Sequence, residues 1–61
     1  MEDNEVEDYL NTIVVHMGVL TDWEENFIND MVRKYQNHET FTFKQLFYIE
    51  KIYNKVENRY R

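Results

Sequence analysis

The sequence predicts an all-α fold, either a compact three-helix bundle or a helix-turn-helix-like domain, and three observations carry that prediction. Apolar residues recur at helical spacing in three separate stretches, two capping boxes mark helix starts, and the 61 residues hold one Gly and no Pro to interrupt them. The expected organisation is a single domain over residues 1–61, with helices at about 4–17, 22–36 and 43–59.

In the first helix Val6, Tyr9, Leu10, Ile13, Val14 and Met17 fall in one arc of about 140° at 100° per residue. Gly18 follows, where a left-handed residue commonly closes a helix, and is expected to be the C-terminal cap. The acidic run Glu2, Asp3, Glu5, Glu7 and Asp8 stands at the helix start and opposes the positive end of its dipole.

Thr21-Asp22-Trp23-Glu24 is a capping box that opens the second helix. Trp23, Phe27 and Met31 form one stripe and Ile28, Val32 and Tyr35 another, an apolar arc of about 180°. So wide an arc predicts the central helix, touching both neighbours, with Trp23 as a core anchor. Residues 36–40 have no apolar period and read as a loop. A second box, Thr42-Phe43-Lys44-Gln45, opens the third helix, and Phe41 and Leu46 are placed for a hydrophobic staple across it. Leu46, Ile49, Ile52, Tyr53, Val56 and Tyr60 give that helix its apolar side. Val15, Phe43 and Phe47 fall outside these arcs, so loops or a second copy of the chain are expected to cover them, and a homodimer is among the expected partners.

Composition excludes several function classes. At 7.7 kDa and a net charge of -5, with 43% hydrophobic and 16% aromatic residues, the chain is too apolar for a disordered acidic tail. A domain of this size buries only roughly 60% of its unfolded surface, which leaves little room for an internal active site. The absence of Cys removes disulfides, thiolate nucleophiles and thiolate metal sites, and points to a reducing, cytoplasmic compartment. The longest nearly apolar stretch, Ile13 to Leu20, is broken by His16 and falls short of the ~20 residues that span a bilayer, so no membrane partner is expected. Frequent Asn, Tyr, Ile, Lys and Glu without Ala is the bias of an AT-rich coding sequence.

His16 and His38 are the only imidazoles and neither has a second ligand at metal spacing. Paired carboxylate chemistry needs a cleft to separate two pKa values, a phosphate loop needs several glycines, and the Thr hydroxyls have no His beside them in sequence. The expectation is a protein that is not an enzyme and has no cofactor.

The net charge hides a dipolar chain. Residues 1–32 hold nine acids and no Lys or Arg, whereas residues 33–61 hold three acids and seven bases, giving -9 and +4. On the third helix Lys44, Tyr48, Lys51, Lys55 and Arg59 lie within about 80° of one another and are expected directly across from its apolar stripe. Such a face suits a phosphate backbone, with Tyr48 free to stack, and equally suits a solvated face with bases at a helix C-terminus. The acids Glu5, Glu7 and Asp8 are candidates for contact with a basic partner, and equally for dipole compensation alone. Phe41, Phe43, Phe47 and Tyr48 make a candidate aromatic patch for a protein partner, with two of the four packing inward.

The segments Leu20-Thr21-Asp22-Trp23-Glu24 with Phe27, Thr42-Phe43-Lys44-Gln45, and Ile49-Glu50-Lys51-Ile52-Tyr53 resemble a short helical module found in small phage and bacterial proteins, and at the ends of larger ones, in DNA replication, recombination and repair. The likeness covers about residues 20–56 and leaves residues 1–19 without a counterpart. It implies an accessory module docked to nucleic-acid machinery, in which Trp23, Glu24 and Phe27 serve the fold and Lys44, Gln45, Lys51 and Tyr53 stand nearer the function. The acidic first helix departs from the pattern and favours a protein partner over DNA. The expected function is therefore a phage-like accessory protein, in the host cytoplasm, that binds a protein of nucleic-acid metabolism. Direct DNA binding through the basic face and phosphate-mimicking inhibition of a host enzyme are the alternatives.

Overall fold

The computed structural model describes residues 3–59, with side chains from residue 5 onward. It is a three-helix bundle in which α1 (Asp3–Val15), a one-turn 3-10 helix (Met17–Val19), α2 (Asp22–Gln36) and α3 (Phe43–Arg59) follow one another. Glu2 and Tyr60, assigned above to the acidic run and the apolar side of the third helix, lie outside the described residues.

Both capping boxes form, and they fix where α2 and α3 begin. The Thr21 hydroxyl accepts from the Glu24 N–H at 3.2 Å, and the Glu24 carboxylate accepts from the Thr21 N–H at 2.9 Å. Thr42 and Gln45 repeat the exchange at 3.1 and 2.9 Å. Each box satisfies two N–H groups that a helix start would otherwise leave unpaired.

The first helix ends earlier than expected, and not on Gly18. It closes at Val15, His16 starts a 3-10 turn, and the Leu20 N–H bonds to the Met17 carbonyl at 3.1 Å. Gly18 lies inside that turn and has no positive φ. The left-handed position falls at the end of α2, on His38 with φ 58°. There the Glu39 N–H reaches the Lys34 carbonyl at 2.9 Å and the His38 N–H reaches the Tyr35 carbonyl at 3.1 Å. These are the two bonds of a Schellman motif, built here without glycine.

The core is aliphatic throughout. Val6, Leu10 and Ile13 of α1, Ile28 and Met31 of α2, and Ile49, Ile52 and Val56 of α3 are buried, and each gains about 1.5–3 kcal/mol over an exposed position. The α1–α3 seam is the most extensive helix contact and α2 packs more lightly on each, so α2 is not the central helix that its wide arc predicts. The Tyr9 and Tyr53 rings stack at 4.2 Å along that seam. Tyr35, near the end of α2, donates to Glu7, near the start of α1, at 2.9 Å, as antiparallel neighbours would. Phe41 and Leu46, the expected staple, are both half-buried against the core.

Candidate partner-binding face

The two capping boxes also position the aromatic residues. Starting α2 at Thr21 puts Trp23 in its first turn and Phe27 one turn on, and their rings stack at 5.4 Å with planes 7° apart. Starting α3 at Thr42 sends Tyr48 toward α2, where its ring meets Trp23 edge-on at 5.6 Å and Phe27 at 6.0 Å. Phe47 extends the cluster, 5.6 Å from Tyr48, and Phe43 stands one turn before it on the same side of α3. Of the four aromatic residues assigned to the patch, Phe41 and Tyr48 pack inward, while Phe43 is 92% exposed and Phe47 54%.

Trp23 is 58% exposed and is not the core anchor its size suggests. Its position explains why: it lies at one margin of the apolar arc of α2, while Ile28 and Met31, nearer the middle, take the buried places. The ring is left as an outer wall. Two open grooves flank the Trp23–Tyr48 contact. One, of about 410 Å³, has Glu24, Lys51, Ile52 and Lys55 around it, and the other, of about 280 Å³, has Phe27, Thr42, Lys44 and Gln45.

The basic face is not directly opposite the apolar stripe; part of it lies against α2. Lys55 donates to Glu24 at 2.7 Å, on the same carboxylate oxygen that accepts from Thr21, so one group caps α2 and ties it to α3. Partial burial alone would raise the Glu24 pKa. The Lys55 hydrogen bond, the Thr21 N–H and the Lys55 charge outweigh it and hold the carboxyl below the usual Glu value. The capping role of Glu24 is stated by its box, whereas the interhelix pair needs the register of α2 on α3, which periodicity does not contain.

The remaining bases are exposed. Lys51 lies over the Phe47 ring at 5.3 Å, an exposed cation–π contact, and Lys44 edges the smaller groove. Arg59 lies at the end of α3, away from the rings. At the acidic end Glu5, Glu7 and Asp8 are exposed, but Glu7 is held by Tyr35 across the α1–α2 contact, and the three do not share a face. Among the described residues no group of three or more His, Asp or Glu is placed to hold a metal, and no helix is long and apolar enough to cross a membrane.

No protein family, curated protein or solved structure matches this chain.

Proposed function

We propose that this chain is a non-enzymatic, phage-like accessory module of the cytoplasm that binds a protein of nucleic-acid metabolism through the aromatic face where α2 meets α3. One observation carries the reading: Trp23 and Phe47 stand more than half exposed on either side of Tyr48, while among the described residues every fully buried side chain is aliphatic. Exposed aromatic residues held in contact with one another supply area at little cost in conformational entropy, and they dominate the energetics of protein interfaces. The setting in DNA replication, recombination or repair rests on the sequence likeness of residues 20–56.

Direct binding of single-stranded nucleic acid is the second reading, favoured by rings that lie beside Lys44 and Lys51. A phosphate-mimicking inhibitor has less support, since Glu7 is turned toward Tyr35 and away from Glu5 and Asp8.

The test is photo-crosslinking in cells from a benzophenone amino acid placed at position 47 or, as a control, at the exposed position 14 of α1. The reading expects protein adducts from position 47 that survive nuclease and are absent from position 14. Adducts that nuclease removes would transfer the reading to nucleic acid. Equal adducts from both positions would end it.

A further inference from the structure

We infer that the occupant of the aromatic face is an acidic, amphipathic segment of the partner protein, with apolar side chains entering the two grooves beside Trp23 and carboxylates meeting Lys44 and Lys51. This rests on the proposed function above and adds the chemistry of the ligand.

The argument is one of charge complementarity. Four charged side chains border the two grooves: Lys44, Lys51, Lys55 and Glu24. Glu24 and Lys55 neutralise each other at 2.7 Å, which leaves Lys44 beside the smaller groove and Lys51 beside the larger, neither of them in an ion pair among the described residues. On a chain of net charge -5 this face therefore has a net positive border around an apolar floor. A partner that buries apolar side chains here must bring Lys44 and Lys51 partly out of water, and carboxylates at matching places offset that cost.

The same inventory disfavours a nucleic-acid strand. A phosphate track gains affinity from each neutralised phosphate, and the two lysines beside these grooves that are unpaired among the described residues offer only two such increments. The nine acids of residues 1–32 repel a long polyanion more strongly than a short segment of few charges. A short peptide with a few carboxylates carries less charge against those acids than a long strand does, and its two or three large apolar side chains gain from the apolar floor, which a phosphate track does not.

The test is fluorescence anisotropy of a labelled helical 16-residue peptide with Leu and Phe at positions i, i+3, i+4 and i+7 and Glu or Asp at the exposed places. It is compared with the same peptide carrying Lys or Gln instead of the acids, and with a 15-nucleotide oligo-dT. The inference expects the acidic peptide to bind about tenfold or more tightly than the Lys version, in keeping with the effect of complementary interface charge. Lys44→Glu together with Lys51→Glu should remove that preference, and Phe47→Ala should weaken binding to every peptide. Both lysines are exposed and neither bonds across helices, so the double variant keeps its fold, which circular dichroism verifies.

Equal or tighter binding of the Gln or Lys peptide overturns the acidic occupant while leaving the aromatic face a protein-binding surface. Oligo-dT binding that fades with salt and is lost in the lysine variant overturns both. Failure of all four probes at 0.5 mM overturns the acidic occupant, and crosslinking from position 47 then decides the broader reading. Self-association abolished by the same lysine changes would overturn it in favour of a second copy, whose acidic α1 would be the occupant.

Discussion

The inner and outer sides of α3 put the same kind of free energy to different uses. On the inner side Ile49, Ile52 and Val56 meet Val6, Leu10 and Ile13 of α1 in a seam of aliphatic side chains with almost no exposure. On the outer side, toward α2, Tyr48 meets Trp23 and Phe27, and larger apolar side chains are left half in water. If hydrophobic area alone decided position, the rings would be inside. The difference teaches that this small core is closed by branched aliphatics that fill it densely, and that the rings at its edge hold apolar area which folding does not consume.

The strongest way to break that comparison is to truncate one residue from each side. Ile13→Ala or Ile49→Ala should cost about 2–5 kcal/mol, because the site loses its transfer energy and keeps part of the cavity. A domain of this length has about 3–9 kcal/mol in total, so either variant stands near the edge of folding. Phe43→Ala, at a residue almost fully exposed, should stay within about 0.5 kcal/mol of the parent. Urea denaturation followed by circular dichroism reads both. A large loss from Phe43→Ala would mean that this ring belongs to a folded interface, such as a dimer.

A smaller effect tests what holds the outer edge in place. Thr42→Ala and Thr21→Ala should each cost about 0.5–2 kcal/mol by leaving N–H groups uncapped. The Thr21 change should be the more costly of the two, because Glu24 anchors both its box and the bond to Lys55. Equal losses in thermal melts would mean that the Lys55 contact adds nothing measurable, as many exposed ion pairs do.

These same caps explain what the sequence made legible. The predicted starts of the second and third helices coincide with Asp22 and Phe43, because a box of four residues states a helix start locally. The end of α1 was not legible, since nothing local to Gly18 says that the chain has already turned at His16. Trp23 was misplaced for a different reason. Periodicity sorts residues onto a face but does not say how deep the neighbouring helices reach across it; they cover the Val32 margin of the α2 arc and stop short of the Trp23 margin. That Val15, Phe43 and Phe47 stand off the apolar stripes was readable; that no loop of the chain covers them, leaving them 75%, 92% and 54% exposed, depends on tertiary packing and was not.

Protonation offers a subtler probe of the same edge. The folded-state pKa of Glu24 is depressed, so the stability it contributes is complete above the ordinary Glu pKa of about 4.3 and is lost as pH falls through the lower folded value. Glu24→Gln keeps an oxygen for the Thr21 N–H but removes the charge that Lys55 meets. The parent should therefore lose more stability than the variant between pH 6 and pH 3, in urea titrations at each pH. Parallel losses would assign the acid sensitivity to other carboxylates.

The smallest effect comes from a mismatch between residue and backbone far from either side of α3. The single glycine occupies a turn that does not need it, with nothing within 4 Å of an added Cβ, while the left-handed position of the Schellman motif is held by His38. Gly18→Ala should stabilise by about 0.4–1 kcal/mol through the unfolded chain. A left-handed L-residue costs about 1–2 kcal/mol and glycine's extra chain freedom about 0.5–1, so His38→Gly should gain up to about 1.5 kcal/mol. At roughly 4–8 °C per kcal/mol for a domain of this size, both gains are visible in a thermal melt. Should His38→Gly lower the melting temperature instead, the imidazole must make a contact at the end of α2 worth more than the strain it bears.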